Sequence, residues 1–443
     1  MVRDWEKPPD WTGESPLAIE IVRRYDLREL VQRANREYWP WHVLRHKDLP
    51  KGIDPALVWG AVKATRLFQL RRIPLRHVGG QNFAYWLPDS AQEDLHYLDR
   101  HLGGILGARH PDVLGANRER YLISSLMEEA VASSIIEGAA TTREVAREML
   151  RRDRAPRNRA EKMVVNNYRT VQRLKELSGQ ALTIELLREV HASITEGTLD
   201  EPDMCGRFRS AQEPVNVVDY STGEVLHVPP PADGLPERVR LMCDFAQGRG
   251  VGDFIHPIVR AILLHFWLAY DHPFVDGNGR VARALFYWYL LSRDYWLVEF
   301  LSLSRAILGA RMQYRRAFLW SELDDADSTY FVVFHLRQLR RAVDDLYRYL
   351  ERKERELREG LQRLRGAEGL NHRQRALLQH ALAHRDAVYT IRSHRNSHGV
   401  AYATARGDLC GLTEKGLLER KKVGREFVFL PSPDIAEKLT VGA

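Results

Sequence analysis

The sequence predicts a mainly α-helical protein with one β-hairpin near its middle. Apolar residues recur at intervals of three and four along most of the 443-residue chain, which is the spacing of an amphipathic helix. Two β-branched runs, Pro214–Val218 and Glu224–Val228, flank the turn-forming residues 219–223 and predict the hairpin. No run approaches the ~18 apolar residues that a membrane-spanning helix needs, so no membrane partner is expected.

The overall composition is that of a globular protein. Apolar residues make up 44% of the chain, enough to fill the cores of two or three domains. The net charge of +7 is the difference between 66 Lys+Arg and 59 Asp+Glu, so it argues only weakly for an anionic partner. Cys205, Cys243 and Cys410 lie far apart without a CxxC pair, which favours a reducing compartment. With no apolar leader at the N-terminus, a cytoplasmic location is expected.

Residues 1–110 predict a helical N-terminal region, because helical patterns alternate there with Pro/Gly breaks. Ala18–Tyr38 is the first such pattern. Pro55–Leu70 is the second, with Asp54 as the N-cap and Pro55 at the first helical position. The aromatic residues of this region are expected to pack in its core.

A continuous helical pattern covers Asn117–Ile136 and stops at Gly138, a residue type common just past a helix end. Glu137 is unexpected at that position, since a helix C-terminus disfavours negative charge. Two more helices are predicted, at Glu161–Leu177 and over residues 184–196. His191 on the second of these is expected to be a packed core histidine.

The segment His272–Arg283, which reads HPFVDGNGRVAR, concentrates groups that bind and transfer phosphate. Helices apolar on nearly every face are predicted before it, at Pro257–Tyr270, and after it, at Val281–Leu291. Gly277 and Gly279 let backbone N–H groups approach an anion at the start of the second helix. The loop is therefore expected to form a phosphate-binding site between two buried helices.

Four side chains of this segment complete the expected site. Arg280 and Arg283 are three residues apart on one helical face, so both can reach one polyphosphate. Asp276 supplies a hard oxygen ligand for Mg²⁺, and His272 can take up a proton near neutral pH. The structural alternative is a glycine-rich turn in which His272 and Asp276 only cap helices. The arrangement of such residue types over the twelve positions of this segment argues against that alternative.

This segment resembles the signature of the Fic family, H-P-F-x-[DE]-G-N-G-R-x-x-R, at every fixed position. The resemblance implies a Fic-fold helical core that transfers AMP from ATP to a Ser, Thr or Tyr hydroxyl of a protein, with pyrophosphate leaving. It implies that His272 is the base and that Asp276 holds Mg²⁺. Gly277, Asn278 and Gly279 would line the anion hole, and Arg280 and Arg283 would hold the β- and γ-phosphates.

Two further motifs resemble this family. Ser133, Glu137 and Gly138 match the fixed positions of its inhibitory motif [ST]-x-x-x-E-[GN], which implies an inhibitory helix over residues 117–138. The hairpin is similar to the family's flap, which holds the target segment by main-chain pairing. The flap residues expected to bind the target are Val215, Asn216, Val217 and Val218.

The C-terminal part predicts a long helix followed by a winged helix-turn-helix. Tyr330–Leu364 carries a heptad-like apolar seam, which can pack on the core, link domains or pair with a second subunit as a homodimer. Helices are then expected at Arg373–Ala383, Tyr389–Asn396 and Tyr402–Leu412, before a wing at Lys421–Leu430 that turns at Gly424. For this module, DNA binding involving Arg406, protein docking and simple bracing remain open.

The predicted organisation has four parts: a helical N-terminal region (1–110), a catalytic core (111–310), a helical connector (311–368) and a winged-helix domain (369–443). The predicted function is a protein adenylyltransferase that uses ATP and Mg²⁺ and is inhibited by its own Glu137. Two alternatives stay open. One is removal of AMP, alone or besides transfer, by means of Glu137, and the other is a DNA-binding regulator with the catalytic domain as a sensor.

Overall fold

The computed structural model describes residues 7–12, 20, 22–23, 25–105, 111–151, 154–218, 223, 225–366, 369–423 and 426–439. Within them the chain is mainly α-helical, as predicted. It divides into two compact units, one of Met1–Gly104 with Ser124–Val343, the other of Ile105–Ile123 with Asp344–Ala443. The start of the first predicted helix, residues 219–222 of the flap turn and Gly424 of the wing lie outside the described residues. In the described part of the chain, no helix is both long and apolar enough to span a membrane.

The α-helices in chain order are α1 (Arg28–Glu37), α2 (Trp41–Leu44), α3 (Pro55–Leu67), α4 (Asp89–Arg100), α5 (Pro111–Ile136), α6 (Arg143–Arg151), α7 (Arg159–Leu177), α8 (Ile184–Thr195), α9 (Leu235–Ala246), α10 (Pro257–Asp271), α11 (Asn278–Leu291), α12 (Leu303–Leu308), α13 (Arg311–Leu323), α14 (Thr329–Gly366), α15 (His372–Ala383), α16 (Ile391–His398), α17 (Tyr402–Glu414) and α18 (Ile435–Lys438). The strands are β1 (Arg71–Arg76), β2 (Asn82–Tyr85), β3 (Val217–Val218), β4 (Val225–His227), β5 (Tyr389–Thr390), β6 (Leu418–Val423) and β7 (Glu426–Pro431).

Helices α10 and α11 form the centre of the first unit. Almost every side chain of both helices is buried, including Trp267 at 1% and Phe286 at 0% exposure. A helix surrounded by protein on all faces needs an apolar sequence all round, which is how both helices were predicted. Helix α11 begins at Asn278 rather than Val281, so the glycine-containing loop and the first helical turn overlap.

The N-terminal part of the first unit contains a β-hairpin that the sequence analysis missed. Strands β1 and β2 pair antiparallel, with Arg71 opposite Tyr85 and Arg76 opposite Asn82. Pro74 and three arginines in β1 hide the usual β-branched pattern of a strand. The predicted aromatic packing is confirmed for the buried residues of this region, namely Tyr38, Trp39, Trp59, Phe83 and Tyr85.

The second unit has its own core, in which Leu378, Leu409, Leu412 and Phe429 are buried. Its three-stranded antiparallel sheet has the order β5-β7-β6. Residues 389–390 form β5 instead of starting a helix, because the Thr390 side chain accepts a hydrogen bond from the Ser393 N–H and caps α16. The winged-helix assignment, its DNA partner and the four-part division of the chain stay predictions.

Candidate active site

His272 is the first residue of the loop between α10 and α11. It adopts a left-handed conformation with φ +47°, and its N–H donates to the Leu268 carbonyl at 3.0 Å. Its Nδ1 lies 3.1 Å from the carbonyl oxygen of Ala269. Because a carbonyl only accepts, Nδ1 carries the proton and the Nε2 lone pair is left available. Burial lowers the pKa of His272 to about 4, so the imidazole is neutral at pH 7 and able to act as a base.

Two side chains fix the conformation of this loop. Buried Arg209 donates from Nε to the His272 carbonyl at 2.8 Å and from Nη2 to the Pro230 carbonyl at 2.5 Å. Asn278 accepts from the Phe274 N–H at 3.0 Å and donates to the Phe274 carbonyl at 2.7 Å. The Asn278 side chain therefore closes the loop, so its backbone N–H is the group left to line an anion site.

His191 packs against the loop, in agreement with its prediction as a packed core histidine. Its ring stacks on Phe274 with centroids 3.8 Å apart and planes at 2°. Its Nδ1 accepts from the Gly206 N–H at 3.0 Å, so Nε2 carries the proton and donates to the Asp276 carbonyl at 3.0 Å. Burial lowers the pKa of His191 to about 4, which keeps this neutral arrangement at pH 7.

Asp276 points toward the opening of the site, with 45% of its side chain exposed. Its Oδ1 accepts from the Gly277 N–H at 2.5 Å, while Oδ2 lies 3.6 Å from Arg280 Nη2 and 3.8 Å from Arg159 Nη2. Among the described residues, no group of three or more His, Cys, Asp and Glu side chains could hold a metal. A single carboxylate fits Mg²⁺, which binds through one or two carboxylates together with substrate phosphates and water.

The two arginines of α11 are almost fully buried, Arg280 at 0% and Arg283 at 1% exposure. Arg280 donates from Nη1 to the Ile194 carbonyl at 3.3 Å. Within the described structure, Arg280 Nε and Nη2 and Arg283 Nη1 have no hydrogen-bond partner. Buried donors are normally satisfied, so these three mark a place where a ligand with several oxygen atoms fits. The N-terminus of α11 adds its dipole at the same place.

Helix α5 ends in a Schellman motif. Gly138 has φ +87° and donates its N–H to the Ile135 carbonyl at 3.0 Å. The Ala139 N–H donates to the Ser134 carbonyl, also at 3.0 Å. This pattern satisfies two of the free carbonyls at the helix end and leaves Glu137 as the helix cap residue. The predicted stop at Gly138 is confirmed.

The end of α5 holds the guanidinium of Arg283. Glu137 Oε1 accepts from Arg283 Nη2 at 2.9 Å, and Ser133 Oγ accepts from Arg283 Nε at 2.9 Å. A Cβ placed on Gly279 would lie 2.2 Å from Glu137 Oε1, so the carboxylate occupies the space directly over the first turn of α11. This space adjoins the N-terminus of α11, whose first N–H groups could receive an anion.

The predicted flap lies beside the end of α10. Strands β3 and β4 pair antiparallel, with Val217 opposite His227. The His227 ring nitrogens lie 2.7 Å from the Tyr270 carbonyl and 2.9 Å from a Glu322 carboxylate oxygen. Val215, Val217 and Val218 are half-buried and Asn216 is exposed. The flap is thus attached two residues before His272.

Residues 181–290 match the family model described as Fic/DOC family. The chain carries a Fic domain. This domain includes the loop, the flap, His191 and Arg209, whereas Ser133, Glu137 and Gly138 lie before the matched residues.

The chain is similar to curated relatives and to solved structures. The protein adenylyltransferase Fic of Nematostella vectensis is 36% identical over 106 residues, which are 24% of this chain and 22% of that protein. The protein of the same name from Drosophila willistoni is 32% identical over 114 residues, 26% of this chain and 20% of that protein. The matches thus span less than a quarter of these relatives.

The solved structures support the Fic fold. A Fic family protein from Desulfovibrio desulfuricans G20 has a TM-score of 0.51 at 22% identity, over 77% of this chain and 96% of that one. Fic-1 from C. elegans has a TM-score of 0.50 at 18% identity, over 77% of this chain and 88% of that one.

Several residues that shape the site were not predicted to contact the loop. Arg209, His191 and Thr195 contact the loop only through the tertiary fold; a Cβ on Gly277, for example, would lie 2.8 Å from Thr195 Cγ2. Gly277 has φ +87°, a backbone conformation that residues with a Cβ rarely adopt. The glycine at this position is therefore a signal in the sequence that the loop needs a residue without a Cβ here.

Proposed function

We propose that this protein transfers AMP from ATP to a Ser, Thr or Tyr hydroxyl of a protein and that Glu137 inhibits the transfer. One observation carries the proposal: a neutral histidine with an available Nε2 adjoins a helix N-terminus lined by two buried guanidinium groups, three of whose N–H donors have no hydrogen-bond partner among the described residues. The names of the curated relatives support the same reaction.

In the proposed reaction, the hydroxyl proton moves to His272 Nε2 while the hydroxyl oxygen bonds to the α-phosphorus of ATP. The bond between that phosphorus and the bridging oxygen to the β-phosphate breaks, and pyrophosphate leaves with its electron pair. Gly277, Asn278 and Gly279 line the anion site, where the backbone N–H groups of Asn278 and Gly279 bind phosphate oxygens, and Arg280 and Arg283 hold the β- and γ-phosphates. These contacts align the phosphates for in-line attack.

Asp276 would hold Mg²⁺, which supplies positive charge against the phosphate oxygens when it is bound. The carboxylate is accessible and already oriented by the Gly277 N–H, so it is placed to receive the metal from the solvent side.

The proposed inhibition follows from the contacts of Glu137. Its carboxylate binds Arg283 in a charge-assisted hydrogen bond and lies over the turn that would receive the γ-phosphate. ATP can still use the anion site and Arg280, but its phosphates would be turned from the in-line geometry. Inhibition is therefore expected to affect the transfer rate more than ATP affinity.

The test is the intact mass of proteins incubated with ATP and Mg²⁺. In a Glu137→Gly background we expect the mass of one or more AMP groups to be added, to a target or to the enzyme itself. Adding His272→Ala should stop this addition while ATP still binds, because His272 acts on the hydroxyl and not on the nucleotide. Equal loss of ATP affinity and of rate would contradict the role of His272 as base.

Removal of AMP is a second candidate, favoured by the position of the Glu137 carboxylate directly beside Gly279. There it could orient a water molecule toward a phosphodiester on the modified target. If this is the main reaction, a modified protein should lose AMP with the parent enzyme and keep it with Glu137→Gly.

A further inference from the structure

Two hairpins of the first unit contact Tyr270, which lies two residues before His272 at the end of α10. One is the flap, β3–β4. The other is the N-terminal hairpin, β1–β2, which lies about 140 residues earlier in the chain and which no part of the proposed reaction uses.

The N-terminal hairpin is attached through its tip. The Val78 N–H donates to the Tyr270 hydroxyl at 2.9 Å. Arg238 Nη2 donates to the Arg76 carbonyl at 2.7 Å and binds the Asp271 carboxylate at 2.5 Å. The tip therefore contacts the end of α10 directly, through the Val78 N–H, and indirectly, through the Arg238 side chain.

The flap contacts the same residue, Tyr270. His227 Nε2 lies 2.7 Å from the Tyr270 carbonyl, and its ring centroid is 4.9 Å from that of Tyr270. The His77 ring of the N-terminal hairpin lies 6.0 Å from the same Tyr270 ring. One tyrosine thus lies against both hairpins.

Both hairpins carry exposed valines next to this junction. Val78 at the tip of the N-terminal hairpin is 58% exposed, and on the flap side Val225 and Val228 are 49% and 62% exposed. Arg71, Arg72 and Arg76 of β1 are also exposed. Large apolar side chains exposed on two adjacent elements are typical of an interaction site.

We propose that the tip of the β1–β2 hairpin binds the acceptor protein together with the flap. The occupant is an extended acceptor segment that carries an apolar side chain near the modified hydroxyl. Its modified hydroxyl must reach His272, and Tyr270, which contacts both hairpins, lies two residues away, a reach of about 7 Å. Val78 and Val228 then contact the segment and select it. This inference rests on the proposed transfer reaction and names its substrate class.

The test labels a cell lysate with ATP carrying a label on the α-phosphate, using the Glu137→Gly enzyme. Val78→Asp should reduce the label on acceptor proteins by about tenfold, since a buried carboxylate opposes an apolar contact. ATP affinity should be unchanged. Val388→Asp and Val423→Asp are matched controls, because these valines are 58% and 62% exposed but belong to the other unit. For the strongest acceptor, once purified, KM should rise in Val78→Asp while kcat stays the same.

Each of the following outcomes would overturn the inference. Labelling by Val78→Asp equal to that by its parent overturns the inference, and if Val228→Asp then loses labelling the flap alone binds the acceptor. A fall in kcat at constant KM also overturns it, since the change would then act on chemistry. If the Glu137→Gly parent labels no protein at all, the proposed transfer itself fails and this inference fails with it.

Discussion

At the scale of single residues, the surroundings of His272 determine the protonation state of its ring. The Ala269 carbonyl fixes the proton on Nδ1, and burial keeps the ring neutral. The signature could be predicted from the sequence because its residues are contiguous. The supports from Arg209 and His191 could not, because they come from segments 63 and 81 positions away, which only the fold brings together.

The pH dependence of transfer tests this environment. The proposed base, His272, must be neutral to accept a proton, and burial lowers its pKa to about 4. The rate of Glu137→Gly should therefore stay nearly level from pH 7.5 to pH 5.5, where a histidine with an ordinary pKa of about 6.5 would become mostly protonated. The measurement is the initial rate of AMP incorporation, with circular dichroism at each pH as the control for folding. A decline to half near pH 6.5 would contradict the account.

Asp276→Asn tests the proposed Mg²⁺ site. The amide keeps the side-chain shape and an oxygen for the Gly277 N–H, but it removes the charge that Mg²⁺ needs. In the Glu137→Gly background, transfer should lose its response to Mg²⁺ over the range where the parent responds. Asp203→Asn, at an aspartate with 73% side-chain exposure, is the control and should leave the response unchanged. A Mg²⁺ response that survives Asp276→Asn would mean that the metal is held elsewhere.

At the scale of elements, the end of α5 acts as a clamp on Arg283. Its helix and its stop at Gly138 could be predicted from the sequence, although the helix begins at Pro111 and not at Asn117. The hairpin β1–β2 could not, because its apolar residues are too few and Pro74 interrupts them. Strand β1 is fixed by pairing with β2, and β2 is fixed further by Ala84, whose N–H donates to the Ala326 carbonyl.

Ser133→Ala should activate the enzyme partially. It removes the Oγ that accepts from Arg283 Nε, while Glu137 still binds Nη2. A hydrogen bond to a charged group contributes roughly 1–3 kcal/mol, so the clamp should loosen and transfer should rise about fivefold, less than in Glu137→Gly. Ser134→Ala is the matched control, because the Ser134 hydroxyl donates to Ala130 within the helix. Equal rates for Ser133→Ala and Ser134→Ala would remove Ser133 from the inhibitory contact.

At the scale of the whole molecule, the first unit buries several neutral histidines. Burial lowers the pKa of His335 to about 3, of His191 and His272 to about 4, and of His265 well below its usual value. The unfolded chain then binds more protons than the folded one as pH falls below about 6.5. These groups support stability fully above that pH and lose their contribution as pH falls toward the folded pKa values.

His335→Phe should therefore flatten the pH dependence of stability. The substitution keeps an aromatic ring among Phe331 and Phe334 but removes one titrating group, worth up to ~1.4 kcal/mol per pH unit. The measurement is Tm between pH 7 and pH 5, compared with exposed His96→Phe. Parallel Tm profiles for the parent and His335→Phe would show that this histidine is not linked to folding.

The most direct test of the central claim is the rate of AMP transfer by Glu137→Gly relative to the parent, measured together with the Kd for ATP. Freeing Arg283 should raise the rate far more than it raises ATP affinity, because the anion site and Arg280 already bind the nucleotide. The double variant with His272→Ala should be inactive. A correctly folded Glu137→Gly protein that transfers AMP no faster than its parent would contradict the account.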